Sequence, residues 1–451
     1  MCRRYIDAHC HLFNGRYASR DALTIGRDIS RGEYRLVERP TDAMPVPFNP
    51  PVATSWQARL ESLVGLFTVM KESCAENYAR ECEEFAASAF APAQLHLMPM
   101  MMDIYYIFSH PYSEAFQATA TTAVNDGNDW FEGWKERLAE KIDQQVQKSL
   151  TRDTFTTETE QSARDIVRVK IRSFAAEIET YLRDSERLAA SSIDFAGMPV
   201  SWGYQTHLED LLSLQQSYPD RVFPSIAIDP RRPKMLDFLT SGKTVDGRQL
   251  LSQDGPFYGV KVYPPLGYHP FAAPLMEVYR YCEAHGFPVT AHCQQVSFFN
   301  AISGSECDAN GEYFAHPKHW IPVLQAFPNL RLDLAHFGGE ESVLAYAGDP
   351  RCADAEWTRV IVELLQYPHV YTDSAAITRF GAPRAIPEII RREPLVGKKM
   401  MFGSDFIICI LRDDLDGRLR NYFDLYRDVS GTEWHDNAGA FLPALNRQPG
   451  S

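Results

Sequence analysis

Short apolar runs, most of them closed by a polar residue, recur along the second half of the chain. They are Val222–Asp229, Gly259–Pro264, Phe287–His292, Leu330–His336, Val370–Asp373 and Lys399–Asp405. Helix-like stretches lie between them, for example through Leu208, Leu211, Leu212 and Leu214, or through Met276, Val278 and Cys282. Apolar strands alternating with helices predict a parallel sheet buried on both faces. Two earlier runs, Ile6–Phe13 and Leu95–Asp103, raise the number of strand units to eight. Eight such units predict an α/β fold, a closed (β/α)8 barrel, with its site at the C-terminal ends of the strands.

Two stretches break this rhythm. Residues 14–54 are polar, rich in Pro and Arg, and weakly periodic; they are expected to fold over the site that follows His11. Residues 55–90 predict a helix, with Trp56, Leu60, Leu63, Leu66 and Phe67 on one stripe and Pro92 as its stop. Residues 105–203 carry helical seams, Trp130 to Val146 and Val167 to Tyr181. They are read as a helical insertion after the second strand, a lid or an oligomer contact. Residues 1–104 and 204–451 are then the barrel domain.

Composition narrows the function. A hydrophobic fraction of 45% supports a large core, and a net charge of −14 disfavours nucleic acid as a partner. No apolar run is long enough to span a membrane, so no membrane partner is expected. The nine scattered cysteines read as reduced thiols, and the start of the chain has no apolar leader; a cytoplasmic location is expected. The expected partners are a small-molecule substrate and further copies of the same chain.

The candidate chemistry sits at the strand ends. Alternation puts His9 and His11 on one face of the first strand and Cys10 on the other. Lys261, His292, His336 and Asp405 close later strands. One such histidine is ordinarily a hydrogen-bonded structural residue; a whole set at successive strand ends points to a metal site. Cys10 and Cys293 are read as packing, His316 and His319 as helix capping or surface residues, and His96 as structural. Asp103 is a candidate contact, as are Tyr268 and His269.

These residues carry a resemblance. Asp7–His11, Gly259–Pro264, Pro288–His292, Leu334–Gly339 and Phe402–Asp405, with the closing Asn437–Leu442, resemble the amidohydrolase superfamily of metal-dependent barrels. The likeness is to the branch holding aminocarboxymuconate-semialdehyde decarboxylase, resorcylate-type decarboxylases, lactonases and related hydratases. It covers residues 1–13 and about 204–442, and the motifs do not specify a substrate.

His9, His11, His292 and Asp405 make a mixed nitrogen and oxygen set that suits one zinc ion with a position open for water. Asp405 is also the candidate acceptor of that water's proton. The resemblance implies that His336 lies close to the metal and does acid/base work. It leaves Lys261 either uncarboxylated, pairing with a substrate carboxylate or a nearby acid, or carboxylated and bridging two metals; the first is favoured. Tyr263 and Arg231 are candidate substrate contacts. A metal-dependent hydrolase of an amide, lactone or ester is the leading expectation. The alternatives are a non-oxidative decarboxylase of an aromatic or unsaturated acid and, below it, an inactive barrel serving as a binding module.

Overall fold

The computed structural model describes residues 4–13, 72–88, 90, 93–102, 192–198, 202–230, 232–266, 268–294, 314–378, 381–406, 419–427, 429 and 433–446. Eight parallel strands organise them: β1 (Arg4–Cys10), β2 (Gln94–Pro99), β3 (Ser225–Ile228), β4 (Gly259–Val262), β5 (Val289–Gln294), β6 (Leu332–Gly338), β7 (Val370–Asp373) and β8 (Met400–Met401). The main helices are α1 (Cys74–Ala86), α2 (Trp202–Ser217), α3 (Met235–Ser241), α4 (Ala273–His285), α5 (Ile321–Ala326), α6 (Glu340–Gly348), α7 (Glu356–Leu364), α8 (Ala382–Arg392), α9 (Leu419–Tyr426) and α10 (Glu433–Phe441).

β1 pairs with β2, and β3 to β8 pair in sequence order. Backbone bonds join the two sheets at both edges. Phe223 N donates to Leu97 O at 2.9 Å and Met101 N to Ser225 O at 3.1 Å, which ties β2 to β3. Ala8 N donates to Phe402 O at 2.8 Å and Asp405 N to His9 O at 2.8 Å, which ties β1 to the β8 end. Hydrogen bonding therefore runs continuously around a ring of strands, with β1 between β2 and β8. An apolar cluster of Ile6, Ala8, Met98, Met100, Phe223, Tyr371 and Met401 draws on strands from opposite sides of that ring and fills its interior. α10 closes this end with Ala438 and Phe441.

The helices follow their local signals. α1 starts at a capping box: Ser73 Oγ accepts from Glu76 N at 3.2 Å, and Glu76 Oε2 accepts from Ser73 N at 2.7 Å. It ends at Ala86, earlier than Pro92, because Ser88 Oγ–H turns back to Phe85 O at 2.6 Å and caps a terminal carbonyl. α4 buries Leu275, Val278, Tyr279 and Cys282, one face at helical spacing, and stops at Gly286 with φ +75°.

The stripe from Trp56 to Phe67, the 14–54 loop, Asp103 and the helical seams within 105–203 lie outside the described residues. The end of that last stretch is seen: Ile193–Asp194 pairs antiparallel with Lys243–Thr244, and α2 begins at Trp202.

Candidate metal centre

The centre is built on an irregularity in β1. The register against β2 shifts between Asp7 and Cys10. Such a slip turns two residues that alternation would put on one face toward opposite faces. Ile6 and Ala8 enter the ring interior, and His9 and His11 point to its C-terminal mouth, where both approach Asp405. Asp7 stands on the far side, beside Glu81 of α1.

Each imidazole is oriented by a partner at Nδ1. His9 Nδ1–H donates to Asp373 Oδ2 at 2.7 Å, and His11 Nδ1–H to Met100 O at 2.9 Å. His336 Nδ1–H donates to Ala375 O at 3.0 Å, so its Nε2 is the acceptor for His292 Nδ1–H, also at 3.0 Å. A carbonyl or carboxylate can only accept, so these partners assign the hydrogens. The result leaves Nε2 unprotonated on His9, His11 and His292, the state in which an imidazole binds metal.

Electrostatics agree with that assignment. Burial, reinforced by the Lys261 charge, holds His9 down to about 3. Burial, with His336 next to it, holds His292 well below its ordinary value, and burial lowers His336 as well. Burial alone would raise Asp405, but the facing nitrogens of His11, His336 and His9 hold it below the usual carboxylate range. Burial thus favours the neutral form of His9, His292 and His336 beside the ionised Asp405.

Asp405 Oδ1 lies 3.2 Å from His11 Nε2 and 3.7 Å from His9 Nε2. With His11 Nδ1 already donating to Met100, two lone pairs meet across that 3.2 Å. Only a second proton on the ring or a cation shared by both atoms satisfies them. The donor set therefore fits a divalent metal.

The backbone is strained at the same places. His336 has φ +70°, Phe337 +48° and Asp405 +53°. Left-handed backbone costs a non-glycine residue about 1–2 kcal/mol. It persists here because Asp373 Oδ1 grips His336 N at 2.7 Å and Ala375 N at 3.0 Å, while His9 O holds Asp405 N. Gly338 has φ +87°, and a Cβ there would lie 2.9 Å from Thr358 N, so the backbone passes too close for a side chain.

Lys261 rises from β4 into the middle of the site. It is fully buried, and Nζ donates to His9 Nε2 at 3.0 Å. Burial lowers it to about 8, against the opposing pull of Asp373, Asp333 and Asp405. The Tyr263 ring lies 5.2 Å from Nζ and stacks at 6.2 Å on His292, with its hydroxyl donating to Met101 O at 3.3 Å.

His9, His11 and Asp405 form a trio with mutual ligand-atom distances within 4.8 Å. His336 groups in the same way with His9 and Asp373. His292 belongs to neither trio and joins them through His336. Arg231 lies outside the described residues. His316 caps the turn before α5, its Nδ1 accepting from Lys318 N at 3.1 Å, as its position before a helix suggests. His96 stacks on Phe223, a residue of the interior cluster, and Cys10 and Cys293 are buried in the core. Asp373, Asp333, Asp7 and Glu81 were not anticipated as site residues. The first had a usable signal, since it closes a strand run as Asp405 does.

Residues 205–428 match the amidohydrolase family model. Over that span the chain belongs to the amidohydrolase family. The match begins within α2 and ends beyond α9, so this amidohydrolase takes Lys261, His292, His336 and Asp405 from inside the matched span and His9 and His11 from outside it. Members of the family are metal-dependent enzymes. No curated protein matches the chain.

Among solved structures, a TIM-barrel protein from Bordetella bronchiseptica is 17% identical over 53% of this chain and 73% of its own, with a TM-score of 0.33. An amidohydrolase from Burkholderia multivorans with bound HEPES is 17% identical over 52% and 78%, TM-score 0.33. The 5-carboxyvanillate decarboxylase of Novosphingobium aromaticivorans, solved with manganese, is 13% identical over 52% and 68%, TM-score 0.34. These likenesses are too remote to bear on what this amidohydrolase acts upon.

Proposed function

We propose that this chain is a metal-dependent hydrolase that cleaves an amide, lactone or ester bond in a small molecule. One zinc ion is held by His9, His11, His292 and Asp405. The observation behind this reading is the ionised Asp405 facing the unprotonated Nε2 atoms of His9 and His11. When bound, such an ion supplies Lewis acidity and makes water a nucleophile at neutral pH. Asp405 acts as the base that this site keeps ionised. His336, held neutral, does acid/base work at Nε2, where uptake of a proton replaces the hydrogen bond accepted from His292 Nδ1–H. Lys261, the Tyr263 ring and Arg231 contact the substrate. The enzyme works in the cytoplasm as an assembly of identical subunits; no helix among the described residues is long and apolar enough to cross a membrane.

Lys261 gives a second reading its support. A buried ammonium 3.0 Å from a candidate ligand nitrogen can pair with a substrate carboxylate, as non-oxidative decarboxylation of an aromatic or unsaturated acid requires. Zinc-loaded protein assayed against lactones, esters, amides and such acids separates the two. Hydrolysis is expected; carbon dioxide release without hydrolysis would replace the first reading by the second. His336→Asn, which tolerates positive φ, should keep about one equivalent of zinc and lose roughly 10²–10⁴-fold in activity. Loss of the zinc instead makes His336 a ligand.

A further inference from the structure

The outer side of β1 carries a second polar cluster. Asp7, Cys10 and Glu81 are fully buried, and one ligating atom from each lies within 4.8 Å of the others. Glu81 comes from α1, on the same buried stripe as Asn77 and Phe85. Asp7 Oδ1 is committed: it accepts from His9 N at 3.1 Å and from Ser404 N at 3.0 Å. One amide belongs to a candidate ligand, the other to the residue before Asp405. Among the described residues, Asp7 Oδ2 and both Glu81 oxygens meet no donor. A buried acceptor without a donor costs about 1–3 kcal/mol, and more if it is charged. Three of them packed together require a hydrogen from within the cluster.

We propose that Glu81 is a positioning residue: as an un-ionised acid it donates its hydrogen to Asp7 Oδ2 and so fixes the carboxylate that ties the ends of β1 and β8 together. Asp7 Oδ1 already accepts two amides, which favours Asp7 as the ionised partner, whereas neither Glu81 oxygen meets a donor among the described residues, so the hydrogen belongs on Glu81. The chain of contact runs from α1 through Glu81 and Asp7 to the amides of His9 and Ser404. The inference rests on the reading of His9 and Asp405 as metal ligands.

The test compares wild type with Glu81→Gln, which keeps a donor, and Glu81→Met, which keeps the volume without one. Zinc titration of the apoproteins should leave Glu81→Gln within about twofold of wild type and weaken Glu81→Met by about 10–100-fold, the usual scale for residues behind metal ligands. The infrared difference spectrum of apo wild type minus Glu81→Gln should show the carbonyl stretch of an un-ionised carboxyl group at neutral pH. Equal affinity in all three proteins, or equal weakening in both variants, overturns the proposal. So does absence of the carbonyl band, or a second equivalent of zinc that Glu81→Gln abolishes, which would make the cluster a cation site. If Glu81→Met does not fold, the band and the Glu81→Gln titration still decide. A wild type that binds no zinc sinks the proposed function, while the band continues to test Glu81 by itself.

Discussion

Asp373 divides its two oxygens between two tasks. One orients the His9 ring; the other holds the strained amide of His336. In Asp373→Asn, the oxygen can still serve the amide, but an NH₂ group would face His9 Nδ1–H. The ring then gains by moving its hydrogen to Nε2, the atom that should bind metal. Zinc affinity is expected to fall about 10–100-fold with the fold retained; unchanged affinity in a zinc titration would remove Asp373 from this role. The ligand candidates were legible because each closes an apolar run, as His292 and Asp405 do. Their supports were not. Asp373 reaches His9 across 364 positions of chain, and Asp7 acquires its partner through a register slip that alternation does not foresee.

Among the elements, β1 and the residues that follow β8 pass close together. A Cβ on Gly403 would lie 2.8 Å from His9 Cβ and 3.1 Å from Ala375 Cβ. Neither is the tip of a flexible side chain, so β8 or β1 must shift. Gly403→Ala should cost about 1–3 kcal/mol of stability and weaken zinc binding together with it. Thermal melts and zinc titration check this; a variant that melts like wild type would show that the strands yield more easily than their packing implies.

β2 carries a pH effect of its own. Burial, then the charges of Arg4 and Arg221, lower His96 to about 4. Because the folded value lies below the unfolded 6.5, the contribution of His96 to stability is complete above pH 6.5 and is lost as pH falls toward 4. His96→Gln should therefore narrow the stability gap between pH 7 and pH 4.5 by about 1–3 kcal/mol. An unchanged gap in denaturant titrations at the two pH values would contradict it.

The strands were the legible elements, since all eight expected runs overlap one, and Val370–Asp373 matches residue for residue. Their limits were less so. The run expected over Leu95–Asp103 is a regular strand only as far as Pro99, a residue without an N–H; beyond it Met100 N and Met101 N still bond to Cys10 O and Ser225 O.

At the scale of the whole molecule, the candidate ligands bridge the place where the ring of strands closes. His9 and His11 stand on one side of that seam and Asp405 on the other. A metal bound there should stabilise the fold as a staple does, by about 2.7 kcal/mol at a hundredfold excess over Kd. Chelator should lower the melting temperature, and added zinc should restore it; a melt indifferent to both would place any metal elsewhere. The closed ring has a further consequence for synthesis. Tyr5 packs against Phe402 and Phe423, and Arg4 donates to Leu445 O, so β1 is completed by residues made about four hundred positions later. At about 5–20 residues per second, the first strand leaves the ribosome on the order of a minute before its partners exist. Through that interval it is an apolar edge carrying two histidines without their carboxylate. Cellular safeguards against premature pairing and stray metal should therefore matter most to this protein while it is being translated.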